Sequence, residues 1–219
     1  PLSSVFSIPF LGLTNEGMPR FYNERGVETL GDFNFSSSNI NFLKYSGTLD
    51  PTDVGTLTNT FRYKNFTLSA NINYEFGAVT RLRSISNTDD YSAFPRELTQ
   101  RWKKPGDEAH TNIPRIPTSY AFDQYGADNL INGFYAYSAS TARIVSTDLV
   151  RLKEISMEYT VSKTLLRRTP LKNLAVKLQA QNLMLLYSDA RLRGDDPAYM
   201  YSSSVTAPKK LILTLRVGL

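Results

Sequence analysis

Few residues in this chain carry the chemistry of a catalytic centre. His110 is the only histidine, and it stands in a polar stretch beside Asp107 and Glu108. A histidine near two carboxylates has the groups for a general base or part of a metal site, yet the same three residues are the ordinary content of a solvated loop. Asp89-Asp90 and Asp195-Asp196 are acidic pairs of the same kind, hydrated surface by default and an incidental cation site at most. No Gly-x-Ser-x-Gly, phosphate-binding glycine loop, His-Glu-x-x-His or calcium-loop spacing occurs. Without cysteine there are no disulfides and no thiolate ligands. The expectation is a protein that binds rather than catalyses, with no catalytic, cofactor-binding or metal residues.

Polar side chains at every second position are the more telling pattern. From Phe66 to Phe76, the residues Phe66, Leu68, Ala70, Ile72, Tyr74 and Phe76 share one face of a strand, and Thr67, Ser69, Asn71, Asn73 and Glu75 share the other. Just upstream, Leu57, Phe61 and Tyr63 alternate with Thr58, Thr60, Arg62 and Lys64, and the apolar parity switches across Lys64-Asn65. A tight turn with positive φ at Asn65 accounts for that switch, so residues 55–80 read as a long hairpin. Ile155, Met157 and Tyr159 oppose Ser156 and Glu158, but Val150 and Leu152 have the other parity, which predicts a β-bulge near Lys153-Glu154. Val176, Leu178 and Ala180 oppose Lys177, Gln179 and Gln181. The chain ends with Leu211, Leu213, Leu215, Val217 and Leu219 alternating with Ile212, Thr214, Arg216 and Gly218. An earlier strand over Val5 to Leu13 is interrupted or at an edge because of Pro9. Residues 14–54 read as an external loop with short strands.

Strands of this length suit a bilayer, which a tilted strand crosses in about 9–11 residues. No apolar run is long enough for a membrane-spanning helix, and a mean hydropathy of -0.30 fits a barrel with polar lumen and loops. The 13 Tyr and 12 Phe against one Trp fit interfacial girdles. The net charge of +5 is scattered rather than clustered, which argues against nucleic acid. Pro1 opens the chain without a basic-then-apolar leader, so a targeting signal has been removed or the sequence is a piece of something longer. Connector lengths add independent support. If the last strand ends in the periplasm, counting backwards puts 188–207 outside, 161–172 inside, 83–142 outside and 64–65 inside. All long connectors fall on one side and all short ones on the other, as in bacterial outer-membrane barrels.

Several motifs resemble the C-terminal region of SusC/RagA-family, TonB-dependent outer-membrane transporters. Residues 55–69, GTLTNTFRYKNFTLS, resemble the family's hairpin; Arg101-Trp102-Lys103-Lys104-Pro105-Gly106-Asp107, with Ile113-Pro114-Arg115, resembles its "RWxxPGD…IPR" loop. Residues 148–160, DLVRLKEISMEYT, are similar to a family strand, Gln181-Asn182-Leu183 to "GQNL", and Asp195-Asp196-Pro197 to "GxDPE". Each motif is short, but their order and spacing cover the whole chain. Ala180 and Asn65 replace family glycines, and Leu219 stands where many barrels end in an aromatic.

The resemblance implies an all-β fold, a transmembrane antiparallel β-barrel of about 22 strands with a plug, of which this chain is the C-terminal part with about six to eight strands. The plug and N-terminal domains are absent from it. The implied function is uptake of oligosaccharides or peptides across the cell outer membrane. The implied partners are the rest of the barrel and its plug, a SusD-like surface lipoprotein acting as a lid, TonB in the periplasm through the missing N-terminal part, and outer-membrane lipid. A dimer of transporter–lipoprotein pairs is compatible with this. Within such a barrel, Trp102, Arg101, Lys103, Asp107 and Arg115 are the candidates for substrate or lid contact, although Trp102 also suits anchoring its own loop, with Arg101, Lys103 and Arg115 in loop salt bridges. Arg62, Lys64, Asn71, Asn73, Glu75, Lys177, Gln179, Gln181 and Arg216 are the lumen-facing wall candidates. Two alternatives stay open: a soluble β-sandwich that binds carbohydrate, and a small stand-alone outer-membrane barrel acting as an enzyme or adhesin.

Overall fold

A computed structural model describes residues 3–36, 38–82, 96–192, 194–199 and 207–219. In chain order the strands are β1 (Ser4–Ser7), β2 (Phe10–Leu13), β3 (Pro19–Tyr22), β4 (Glu28–Thr29), β5 (Lys44–Thr48), β6 (Asp53–Tyr63), β7 (Phe66–Phe76), β8 (Val79–Arg81), β9 (Ile144–Ser146), β10 (Leu149–Thr160), β11 (Asn173–Ser188) and β12 (Lys210–Gly218). Among the described residues three α-helices, α1 (Ser119–Tyr125), α2 (Ala127–Ser138) and α3 (Lys163–Leu166), complete a mostly β chain. No helix among the described residues is long and apolar enough to cross a membrane. The chain divides into two units, Pro1–Leu49 with Val79–Val145, and Asp50–Ala78 with Ser146–Leu219.

The second unit is one antiparallel sheet in the order β12-β11-β10-β7-β6. Tyr63 pairs with Phe66, so Lys64-Asn65 is a two-residue hairpin loop. The positive φ, +52°, falls on Lys64 and not on Asn65 as the sequence suggests. Asn65 is held by the neighbouring strand instead: its Nδ2 donates to the Thr160 carbonyl at 2.6 Å, and its own carbonyl accepts from Thr160 N–H. The expected bulge is present at Lys153, which has no partner on β7 between Leu152↔Ile72 and Glu154↔Asn71. On the other side Leu152 pairs with Met184 and Glu154 with Gln181, so Asn182 and Leu183 together oppose Lys153. Asn182 takes the left-handed conformation, φ +55°, and donates from Nδ2 to the Pro208 carbonyl. Asn tolerates that region because its short polar side chain bonds locally.

The polarity of this sheet is inverted relative to a soluble sandwich. Register places Phe61, Leu68, Met157, Leu178 and Leu213 in one row across all five strands, and Tyr63, Phe66, Tyr159, Val176 and Leu215 in the next. These side chains are exposed: Phe61 63%, Tyr63 70%, Leu213 71%. Aromatic rings mark both ends of the apolar face. Phe66 and Tyr159 lie 4.7 Å apart at the hairpin end, and Tyr74 stacks on Phe76 at the other. Phe66 and Tyr74 are separated by about 27 Å of extended strand. Five strands of this kind are present among the described residues, where six to eight were expected, and the sheet is open: β6 and β12 each have one neighbour.

The first unit overturns one expectation. Residues 83–142 read as a long polar loop, but 96–142 contain α1 and α2. The apolar stripe Leu130, Gly133, Phe134 and Tyr137 at helical spacing is the reason, and it is buried. It packs in two clusters, Ile8–Phe21–Ala136–Tyr137 and Met18–Ala121–Leu130–Phe134. Gly31 and Gly133 allow the chain to touch α2, since a Cβ on Gly31 would lie 1.9 Å from the Asn129 carbonyl oxygen. Short strands occupy residues 14–54 as expected. β1 pairs with β5, and β2-β3-β4 form a small sheet. The early strand is interrupted at Pro9, giving β1 and β2.

Asn182→Val places a β-branched residue at φ +55° and is expected to cost about 1–3 kcal/mol, with Asn182→Gly close to neutral. Urea unfolding of the two variants tests this.

Candidate functional site

The polar face of the five-stranded sheet collects side chains that the chain holds far apart. Thr58, Asn71, Glu154, Gln181 and Lys210 form one row, and Thr60, Ser69, Ser156, Gln179 and Ile212 the next. Neighbours bond across the strands. Thr60 and Ser69 hydroxyls are 2.9 Å apart, Asn71 Nδ2 donates to Thr58 Oγ1 at 3.1 Å, and Thr56 donates to Asn73 at 3.2 Å. Glu154 accepts from both Gln179 and Gln181, at 3.0 and 2.9 Å, and Arg216 reaches Glu158 at 3.5 Å. Such pairs hold long polar side chains in place along this face.

Eight of the nine wall candidates, Arg62, Asn71, Asn73, Glu75, Lys177, Gln179, Gln181 and Arg216, lie on this one face. Lys64 does not. It sits in the turn, with its Nζ 5.3 Å from the Tyr63 ring centroid, because the strand ends at Tyr63.

Away from the hairpin end, the polar face opens into a cleft of about 210 Å³ lined by Asn73, Glu75, Arg151, Lys153, Asn182, Asp196 and Tyr199, among others. Arg151 Nη2 donates to Asp196 Oδ1 at 2.6 Å, and both side chains are largely buried. Asp196 also accepts from its own loop, at Ala198 N–H. One carboxylate therefore fixes the connector after β11 to the sheet. The cleft carries two cations, two carboxylates, an amide pair and a phenol, a set that can hydrogen-bond a hydrated zwitterionic or polyhydroxylated ligand. Arg151, Lys153 and Asn182 were not among the site candidates read from the sequence, although Lys153 was placed at the bulge and Asn182 in the Gln181-Asn182-Leu183 motif. Arg151 has the parity of the polar face, and Lys153 is the bulged residue, so both were accessible to the same alternation argument. The pairing to Asp196, 45 positions away, was not.

The loop residues are placed in the first unit, and their surroundings are structural. Trp102 is buried, with its ring against Gly17, where a Cβ would lie 2.4 Å from Cδ2. Its indole Nε1 donates to Glu108 at 2.9 Å, and its backbone N–H to the Ile113 carbonyl. Asp107 accepts from the backbone N–H of Lys103 and Lys104, which closes the Pro105-Gly106 turn. The expected salt bridges do not form: the ion pairs among the described residues do not include Arg101, Lys103 or Arg115. Arg101 donates to the Leu98 carbonyl instead, and the turn's carboxylates are spent on backbone and indole donors. His110 is exposed, in the turn that follows Asp107. Of the two acidic pairs, Asp195 is exposed and Asp196 bonded as above, while Asp89-Asp90 lie outside the described residues. Around this loop and α1, two groups have displaced acidities. Trp102's indole, with backbone N–H groups, holds the Glu108 carboxyl below the usual range. Burial, with its bond to Glu16, pushes Tyr125 up to about 12.

No family model matches the chain, and no curated relative does. Solved structures do match. A chain of the RagAB peptide importer in its open-open state superposes with a TM-score of 0.62 at 15% identity, covering 98% of this chain and 22% of that one. The RagAB peptide transporter gives 0.56 at 16% identity, and the importer in its closed-closed state 0.55 at 16%, each covering 84% of this chain and 19% of theirs. This chain shares its fold with a stretch of a RagAB importer chain. It spans about a fifth of the length of those chains.

Two outcomes follow from these contacts. A carboxylate with a depressed folded pKa contributes stability above its unfolded value and loses it as pH falls through the folded one. The 5-fluorotryptophan resonance of Trp102, assigned by its absence in Trp102→Phe, is therefore expected to shift with a midpoint below the ordinary carboxylate range of about 4.3, and Glu108→Gln to abolish the transition. Asp196→Ala strands Arg151 partly buried, and should raise the rate of protease cleavage in the connector after β11 several-fold; an unchanged rate means the pair does not hold the loop.

Proposed function

We propose that this chain is a stretch of the wall of an outer-membrane β-barrel importer of the SusC/RagA type. The observation that carries the reading is the inverted sheet. A continuous apolar face lies exposed across five strands between two aromatic ends, and the opposite face is polar and internally bonded. In water such a face would be a severe liability. Against lipid it is the required surface, and the antiparallel ladder satisfies the backbone groups that lipid cannot. The open edges β6 and β12 call for further strands, in keeping with a wall completed by the rest of a larger barrel. A soluble β-sandwich would bury these apolar rows.

On this reading the polar face lines the lumen, facing a plug and the passing solute. The protein works by binding and transport, not by catalysis. TonB supplies the pull for release into the periplasm, and a SusD-like lipoprotein closes the outer mouth. The likeness to a peptide importer favours peptides as cargo over oligosaccharides. A strain lacking the protein is expected to lose growth on peptides as sole nitrogen source while keeping growth on free amino acids. Loss on oligosaccharides instead would reassign the cargo.

The two faces can be separated in one strand. Leu213→Arg, on the apolar face, is expected to cost about 2–4 kcal/mol of folding stability in lipid vesicles, while Ile212→Arg, one residue away on the polar face, should stay within about 1 kcal/mol. Equal costs at the two positions would overturn the membrane reading.

A further inference from the structure

The two ends of the five-stranded sheet differ in charge. At the hairpin end the connectors 64–65 and 161–172 contain Lys64, Lys163, Arg167, Arg168 and Lys172, all exposed, and no Asp or Glu occurs between Glu158 and Asp189. Glu158 itself is paired with Arg216. The segments at the opposite end carry Asp50, Asp53, Asp148, Asp189, Asp195 and Asp196 against Arg191, Arg193, Lys209 and Lys210, an acidic excess, with Arg191 paired to Asp189 and Asp196 to Arg151.

The cations at the hairpin end lie just beyond one of the aromatic rows. Tyr63, Phe66 and Tyr159 close the apolar face there, and Lys64 Nζ rests over the Tyr63 ring, at the rim of the exposed surface. In the second connector α3 presents Leu165, 67% exposed, beside Arg167 and Arg168. Apolar side chains, then aromatic rings, then cations is the order of depth in one leaflet: acyl chains, carbonyl region, phosphates.

We propose that this end is a docking surface for the anionic phospholipid headgroups of the leaflet that surrounds it. The inference rests on the wall reading above. The cations concentrate phosphate-bearing lipid around the turn end and fix how deep the wall sits. Because the other end has the opposite sign, the attraction also gives the wall a preferred orientation across the bilayer. An amphipathic strand pair alone has no such preference, since its apolar band is bounded by aromatic rings on both sides.

The test uses the full-length transporter in nanodiscs of phosphatidylcholine alone and of an equal mixture with phosphatidylglycerol. Lipids retained after mild delipidation are counted by native mass spectrometry. The parent is expected to enrich phosphatidylglycerol about threefold or more over the bulk ratio, and a variant with Lys64, Lys163, Arg167, Arg168 and Lys172 all changed to Gln to return to that ratio while entering phosphatidylcholine discs as well as the parent. Equal retention by both proteins overturns the proposal. So does displacement of the bound lipid by millimolar inorganic phosphate, which would mark a soluble-anion site, or a variant that loses a co-purifying protein with its lipids unchanged. Failure of the parent to enter any bilayer would instead sink the wall reading itself.

Discussion

Backbone N–H and C=O groups need partners wherever water is excluded, and in the second unit β7, β10 and β11 meet that demand through neighbours on both sides, β6 and β12 on one. The ladder from β6 to β12 is continuous in register except at the two positions where β10 and β11 slip. Because side chains alternate on a strand, a register held over five strands also aligns side chains into rows. The exposed apolar rows, the bonded polar rows and the cleft around Arg151 all follow from that alignment. A one-residue slip would send leucines into the polar face and glutamines out.

The bulge at Lys153 is where the alignment is deliberately broken. An extra residue on β10 and another on β11 change the parity, so that Leu152 and Ile155 stay on the same face although their numbers alone would oppose them. Lys153 and Asn182 are freed from the ladder and line the cleft. The connector after β11 is then tied down by the Arg151–Asp196 pair, a short-range contact between groups remote in sequence. The first unit uses a similar device. Arg143 is buried with both terminal nitrogens on Glu97 at 2.7 Å and its guanidinium 5.5 Å from the Tyr137 ring. Burial works against that charge, but Glu97 and Tyr137 outweigh it and strengthen proton binding.

Much of the second unit was legible because alternation is a local signal. The strands, the hairpin at Lys64-Asn65 and the bulge near Lys153 all announce themselves within a dozen residues. What alternation could not reveal depends on distance or on competition between donors. Positive φ passed from Asn65 to Lys64 because Thr160, on another strand, claims the Asn65 amide. The Trp102 loop lost its expected salt bridges because Asp107 and Glu108 serve nearby N–H groups first. The helices of residues 119–138 were missed for a different reason: their apolar stripe is interrupted by Gly133 and set among Asn, Asp and Tyr, so polarity masked the period.

The pairing of β8 with β9 bears on how such a sheet can form at all. β7 and β10 are adjacent in the ladder but are separated in sequence by residues 77–148, and closing a flexible loop of roughly 70 residues costs about 2–3 kcal/mol more than closing a tight turn. Contact between 79–81 and 144–146, with Gly77 N–H on Asp148 and Thr147 N–H on the Ala78 carbonyl, brings both ends of the insertion together. Once the first unit, which contains the insertion, has folded, β7 and β10 behave as a hairpin of low effective contact order. The rate at which the sheet zips would then be set by the folding of the first unit, residues 1–49 with 79–145, rather than by any strand of the sheet.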